Sequence, residues 1–423
     1  MRAAIDVATA RRLALEASGL LGGLGRGTEG CHAAVERLGA VQIDTISVVE
    51  RAHHHILWSR VAAYGKGCID RLEAEPRRIF EYWSHAAAYL PLDEYRFCLP
   101  RMERVRREGH DWFRADPKAV AYVRDRIAAE GPLRAQDFEE PMKGPRGWWD
   151  WKPAKVALEY LFHSGELTSV GRSGFQKVYD LAERALPADL DRRFPSEEEQ
   201  AARHVDRAVA SLGLFSARDI AYLRKEGKAG IPAEIAARIE SGGLVEVEVG
   251  AGAKAKPAPC LASPAGLERA SSAPRPKPRA RILSPFDPCL IDRRRAARLF
   301  GYEYQLECYL PEAKRRFGYF GLPVLYMDGS GGSGFIALLD ARADRAAGVL
   351  EARRLDLLPP EAAPWAGSGS RPRRPSPSAL AAAIAAELRR FAAFNGAERV
   401  TLGRVEAEDP RFAKALKSGL AAR

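Results

Sequence analysis

Over residues 196–250 the apolar positions first recur every three to four residues and then alternate. EEEQAARHVDRAVASLGLF predicts a helix, SARDIAYL a second one opened by a serine N-cap, PAEIAARIESGG a third, and LVEVEVGA a strand. The same order stands in residues 115–180. There DPKAVAYVRDRIAAEGPL predicts a helix closed by Gly131-Pro132, RAQDF a short helix, WDWKPAKVALEYLFHSGEL an amphipathic helix ended by Gly165, and TSVGRSGFQKVYDL two short strands around GRSG. Helices followed by a Gly-turned hairpin are the order of a winged helix, with the third helix facing a DNA groove and the hairpin as the wing. The N-terminal part is less regular. It predicts a helix over about 5–22 through Ile5, Leu13, Leu15 and Leu20, and another over about 29–38. Next come a strand-like AVQI, a helical CIDRLEAE, and RIFEYWSHAAAYLP, which alternates as a strand would until Pro91.

Further along, the texture changes. Residues 251–281 are Pro/Ala-rich with seven basic residues against one acidic, which predicts a flexible excursion. Beyond it Tyr302, Tyr304, Leu306, Cys308 and Leu310 alternate as a strand. RRFGYFGLPVLYMDG, GFIALLDARADR and GVLEARRLDLLP read as three more, giving a mostly antiparallel sheet or small barrel. A second low-complexity segment, 359–378, precedes the helix ALAAAIAAELRRFAAFNG and the strand-like RVTLGRV.

A formal net charge of +11 over 423 residues favours an acidic partner, nucleic acid ahead of an anionic membrane. The alternative is an Arg/Ala-rich composition without electrostatic purpose. No apolar run approaches the roughly 18 residues of a membrane span. The six cysteines form no CxxC pair, so no zinc ribbon or redox dithiol is signalled, and scattered thiols suit a reducing cytosol. The N-terminus reads as an amphipathic helix rather than a secretory signal. A cytoplasmic, nucleoid-associated bacterial protein is expected.

No nucleophilic-serine, P-loop or dinucleotide motif is present. The stretch LGAVQIDTISVVERAHHHILWSR, residues 38–60, holds the candidate chemistry. Two apart on a strand, Gln42 and Asp44 share a face while Ile43 turns inward. An amide beside a carboxylate can hold a water, with the carboxylate taking its proton or stabilising a cationic sugar. Alternatively Asp44 is a turn cap. Consecutive His53, His54 and His55 point in different directions and cannot all ligate one metal, so no metal is expected. Basic clusters stand at 101–108, 292–298 and 313–320; the last mixes Lys314, Arg315 and Arg316 with Phe317, Tyr319 and Phe320, suited to phosphate pairing and base stacking or to a solvated face.

The same 38–60 stretch resembles the signature of the AlkZ-like bacterial DNA glycosylases, and within them the YcaQ branch. YWSHAAAYLP (82–91), GWWDWKPAKVALEYLFHSGEL (147–167) and LSPFDPCLIDRRRAARLFGYEYQLECYLPEAKRRFGYFGLPVLY (283–326) extend the resemblance. It implies an α+β fold: three tandem winged-helix motifs over about 1–110, 111–190 and 191–282, then a small C-terminal β-barrel domain over 283–423. The inserts 251–281 and 359–378 lie outside it. The implied activity is excision of N7-alkylated purines from double-stranded DNA and unhooking of interstrand crosslinks, without a cofactor. The family's catalytic Gln–apolar–Asp motif falls on Gln42, Ile43 and Asp44. Asp44 is then expected to stabilise the sugar cation and take a proton from water that Gln42 positions. No lysine stands in the motif, so a monofunctional enzyme is expected. His53, His54, His55, Arg60, Lys314, Arg315 and Arg316 are expected to touch DNA, and the protein to act as a monomer. A winged-helix regulator without catalysis and an RNA-processing hydrolase are the competing readings.

Overall fold

The computed structural model describes residues 3–74, 76–138, 153–250, 259–272, 277–327, 333–359 and 375–421. Strand β1 (Ala3–Ile5) and helix α1 (Val7–Ala17) come first, α1 being opened by the Asp6 carboxylate accepting from the Thr9 N–H. A helix–strand–helix–helix–hairpin unit follows: α2 (Gly27–Leu38), β2 (Val41–Gln42), α3 (Ala52–Trp58), α4 (Gly67–Glu73), β3 (Ile79–Trp83) and β4 (Ala87–Pro91). Helix α5 (Tyr95–Glu108) leads to a second unit of the same order. It has α6 (Pro117–Glu130), β5 (Leu133–Arg134), a 3-10 turn at Ala135–Phe138, α7 (Pro153–His163), β6 (Leu167–Ser173) and β7 (Gln176–Leu181). After the short α8 (Ala182–Ala185), a third unit comprises α9 (Glu197–Ser211), α10 (Ala217–Ala221), α11 (Ile231–Glu240), β8 (Val245–Val249) and β9 (Cys260–Ala262). An isolated Phe215–Leu261 bridge stands where the other units have their first strand. The start expected for the helix ending at Gly165 includes residues 149–152, which lie outside the described residues.

Four findings depart from the sequence reading. First, β1 pairs in parallel with β8 and joins the sheet β1-β8-β9, so the chain's start belongs with the third unit and not with a 1–110 unit. Leu13 and Leu15 of α1 share one core with Val247 and Cys260. Second, part of the 251–281 segment is ordered: Cys260–Ala262 is a buried strand, and α12 (Pro264–Ser272) packs on α1. The apolar triplet CLA completes a sheet edge, which a solvated linker would not. Residues 251–258 and 273–276, like 360–374 of the second insert, lie outside the described residues.

Third, the C-terminal part is an open sheet rather than a barrel. After β10 (Arg279–Ile282), α13 (Pro288–Ile291) and α14 (Arg293–Phe300) come β11 (Gly321–Met327), β12 (Gly334–Asp344) and β13 (Val349–Leu357). Then α15 (Pro377–Phe394) crosses over to β14 (Arg399–Glu406), and α16 (Pro410–Ala421) follows. The strand order is β10-β11-β12-β13-β14, with β13 and β14 parallel. A parallel pair requires a crossover, and α15 supplies it. Its buried Leu380, Ile384, Leu388 and Phe391 fill the sheet face that a closing barrel would fill with its own far wall. Fourth, among the described residues Tyr302–Leu310 pairs with no strand. Tyr302 and Tyr304 are buried and stacked, with centroids 5.9 Å apart, but the chain then enters a 3-10 turn at Glu307–Tyr309. The Glu307 carboxylate accepts from the Arg316 and Phe317 N–H groups at 2.9 and 2.8 Å, so a side chain serves that backbone instead of a neighbouring strand.

RIFEYWSHAAAYLP is a hairpin rather than one strand: β3 and β4 turn at Ser84–Ala86, where the Ser84 N–H donates to the Ala86 carbonyl. The β6–β7 hairpin has a two-residue tip in which both residues have positive φ, Gly174 (54°) and Phe175 (69°). That tip is not a free wing. Phe175 lies under the Arg51 guanidinium at 3.8 Å and is stacked 6.2 Å from the His53 ring. No described helix is long and apolar enough to cross a membrane.

Candidate active site

Strand β2 is short because its pairing with β4 ends at Gln42; one more bond, from the Ile43 N–H to the Ala87 carbonyl at 2.7 Å, holds the exit. Ile43 is buried in the core under α2, α3 and α4. Gln42 is buried too, and its Oε1 accepts from His85 Nε2 at 3.0 Å. Burial pushes the His85 imidazole down to about 4, so the ring is neutral at ordinary pH and must carry its one proton on Nε2 to make that bond. The amide oxygen is thereby committed, and the Gln42 NH2 is left to donate. The sequence reading missed His85; its position in the turn between two aromatic-rich strands is a signal that points to it only once β4 is known to pair with β2.

Asp44 lies just past the strand. Its Oδ1 accepts from the Ile46 N–H at 2.7 Å, while among the described residues Oδ2 has no hydrogen-bond partner and no cation pairs with the carboxylate. The turn-cap and reactive-carboxylate readings therefore apply to different oxygens of one group. Burial raises the Asp44 pKa, opposed by the Ile46 bond. Its charge in turn raises the Cys308 thiol after burial, and the Tyr309 hydroxyl after burial and Cys308, so these two residues of the 307–319 loop lie within its electrostatic reach.

That loop presents the other groups. Tyr309 is 76% and Tyr319 41% exposed. Lys314 is exposed, Arg315 stands 5.0 Å over the Tyr319 ring with its Nε donating to the Leu310 carbonyl, and exposed Arg316 stands 5.2 Å over Phe317. The segment from Asp44 to Glu50 lacks regular structure and is stitched to the C-terminal sheet. The Ala343 N–H donates to the Val48 carbonyl at 2.9 Å and the Glu50 N–H to Asn395 Oδ1 at 2.7 Å.

The histidines separate by role. His55 Nε2 donates to the Ile282 carbonyl at 2.9 Å, and its ring packs 4.9 Å from Phe391, tying α3 to the C-terminal sheet. His53 is buried against Tyr89 and Phe175. His54, partly buried, has Nδ1 at 2.6 Å from the Tyr64 hydroxyl and is pushed down to about 4, mainly by burial. Arg60 is buried and forms a two-pronged ion pair with Asp287, both bonds 2.8 Å. Placing His55 and Arg60 on DNA is therefore corrected: neither has surface to offer, and each joins the first unit to the C-terminal part. His53 has only a sliver of surface. Among the described residues, no group of three or more His, Cys, Asp or Glu side chains is placed to hold a metal ion.

A family model described as DNA glycosylase AlkZ-like matches residues 35–394. Among solved structures, the Streptomyces sahachiroi DNA glycosylase AlkZ is similar, with a TM-score of 0.57 at 16% identity over 96% of this chain and 100% of that one. At that identity the likeness is one of fold, a mixed α+β arrangement.

Proposed function

Because the chain belongs to the AlkZ-like DNA glycosylase family, we propose that it is a monofunctional glycosylase. It hydrolyses the N-glycosidic bond of cationic N7-alkylated purines in duplex DNA and unhooks interstrand crosslinks built on them. The observation that carries this reading is the Gln42–Asp44 pair: an amide whose oxygen is engaged by His85, beside a half-buried carboxylate with one uncommitted oxygen and no cation.

An N7-alkylpurine already bears positive charge, so it departs from C1′ as a neutral base without a proton donor. Glycosidases with neutral leaving groups need a second carboxylic acid for that step. Here one carboxylate suffices. As the bond to N9 breaks, positive charge develops on the sugar, and Asp44 stabilises it. The Gln42 NH2 donates to the oxygen of a water; that oxygen bonds to C1′ and its proton passes to Asp44. The products are the free alkylated base, an abasic site and a carboxylic acid that returns its proton to solvent. Burial makes Asp44 a stronger base than a surface carboxylate. No lysine stands in residues 38–60 to form a Schiff base, so the abasic strand stays intact.

In this reading the three helix–hairpin units act as winged helices around the duplex. A crosslinked base stays tethered to the opposite strand, so the lesion is met in place rather than fully flipped. Exposed Tyr309, Tyr319, Lys314 and Arg316, with the half-buried Arg315 and His54, are the groups left to face DNA.

The test is base release from a duplex carrying one N7-methylguanine, then from a nitrogen-mustard-type crosslink, at one fixed salt concentration. Wild type is expected to release base and Asp44→Asn is not, and neither cleaves the strand without heat or base. No release by either, with duplex binding intact, would make the protein a binding module.

A further inference from the structure

A cavity of about 230 Å³, with His85 on its wall, lies between the first and third helix–hairpin units. Four carboxylates stand on its wall, and each has a partner, although Asp219 Oδ1 and Glu226 Oε1 are buried without a hydrogen bond among the described residues. Glu94 pairs with Arg203 and Arg207, Asp219 with Arg298, and Glu226 with Arg104 at 3.5 Å, while Asp292 caps α14 through the Arg294 and Arg295 N–H groups.

Three guanidinium groups on the wall, Arg101, Arg224 and Arg295, have no ion-pair partner among the described residues; Arg295 is committed to the Leu212 and Leu214 carbonyls, which leaves the other two. Arg101 stands 5.8 Å over the Trp83 ring, and its Nε is buried without a hydrogen bond. Arg224 donates from Nε to the Ile220 carbonyl at 2.9 Å; burial holds its pKa below the usual guanidinium range. The backbone that delivers Arg224 is unusual. Leu223, just before it, has φ of 57° and is 54% exposed. Left-handed backbone costs an L-residue about 1–2 kcal/mol, and nothing in an exposed leucine offsets that. Strain of this kind collects where the backbone serves a ligand. The Glu94 charge raises Arg224 again after burial, but neither Arg224 nor Arg101 has a direct ion pair among the described residues, and planar guanidinium forks match oxygens of a phosphate in pairs.

We propose that this cavity is a phosphate-class oxyanion site held by Arg101 and Arg224, and that its working occupant is a phosphodiester of the damaged strand. The second half rests on the glycosylase reading above. A phosphate held there fixes the strand relative to His85, and through it to the Gln42 amide.

The test compares full-length wild type, Arg224→Gln, Arg224→Lys and Arg101→Gln. The affinity for an undamaged duplex is measured across a salt series, with the melting temperature read with and without inorganic phosphate. Removing one phosphate contact lowers the slope of log K against log salt by about 0.9. That fall is expected in Arg224→Gln and Arg101→Gln, with the slope retained in Arg224→Lys. If slopes are unchanged but phosphate raises the melting temperature of wild type and not of Arg224→Gln, the anion site stands and its occupant is free phosphate; the DNA half is overturned. If wild type binds no duplex yet responds to phosphate, the glycosylase reading fails while the site survives. Unchanged slopes together with no phosphate response in wild type overturn the proposal, and so does a melting-temperature loss in Arg224→Gln with slope and phosphate response intact, which marks Arg224 as a packing residue.

Discussion

Replacing Asp44 by Asn and by Ala separates its two oxygens. Asn keeps an acceptor at Oδ1 for the Ile46 N–H, 2.7 Å away, and removes the charge. Ala removes both. The charge is the part that burial disfavours: Asp44 has a raised pKa in the fold. For a raised carboxylate the sign is clear. Its contribution to stability is fully present below the unfolded pKa and is lost as pH rises through the folded one, so ionised Asp44 destabilises the protein at neutral pH. Asp44→Asn is therefore expected to melt at or above the wild-type temperature. Asp44→Ala leaves Ile46 without its partner and loses about 0.5–1.5 kcal/mol. Turnover behaves otherwise. Losing the proton acceptor and the charge facing the sugar cation removes about 10²–10⁴ in rate in both variants. The assay is single-turnover release of N7-methylguanine, alongside thermal melts of the same preparations. The wild-type rate should also fall on the acid side, at a pH above that at which an exposed aspartate protonates. An Asp44→Asn enzyme within tenfold of wild type, or one that melts well below it, would refute the reasoning.

Three further outcomes follow from the same geometry. Arg60→Ala strands the buried Asp287 carboxylate and is expected to lose about 3–5 kcal/mol in urea denaturation; lost duplex affinity at undiminished stability would instead put Arg60 on DNA. His85→Ala frees the Gln42 amide to rotate and is expected to lower kcat by about 10–100-fold with KM little changed, partly rescued by His85→Asn; equal losses in the two variants would count against a positioning role. Glu73, raised to about 8 by burial and then by Glu81, contributes stability that is complete below the ordinary carboxylate pKa and lost as pH rises through about 8. Glu73→Gln should flatten the fall in melting temperature between about pH 5 and 8, and an unchanged fall would show that Glu73 is not held protonated in the fold.

What could be read from the sequence was local. The helix–hairpin order over 115–180 and 196–250 shows in the chain because periodicity, caps and Gly stops are properties of neighbouring residues. Long-range facts left no such mark. Nothing in Ala3–Ile5 says that it pairs with a strand more than 240 residues later. Arg60 looks like one more surface cation until Asp287, 227 residues away, is brought against it. Tyr302 and Tyr304 alternate because both enter one core, and alternation alone cannot distinguish that from strand pairing. A run of alternating strands likewise cannot tell a barrel from an open sheet capped by a helix, because α15 reads as a separate apolar helix in either case. At the site, the motif was visible but the division of labour was not. Only the 3.0 Å contact with His85 tells which end of the Gln42 amide is available.

The same distinction bears on why the Gln–Asp pair sits where it does. Gln42 is held by strand pairing within the first unit, a rigid support. Asp44 is not: from Ile43 to Glu50 the chain has no ladder of its own and takes its shape from Ala343 and Asn395, residues of the C-terminal part. His55 and the buried Arg60–Asp287 pair fasten the same two bodies a few residues further on. The carboxylate is thus placed by the seam between two bodies, and Tyr309, whose hydroxyl its charge raises, belongs to the far side of that seam. An Asp on a free loop would lower its own energy by turning to solvent or to a cation. Fixing its backbone from both sides keeps it half-buried and, among the described residues, without a cationic partner, the state in which it is most basic and in which, in the proposed reaction, the positive charge developing on a departing sugar would be its best available partner.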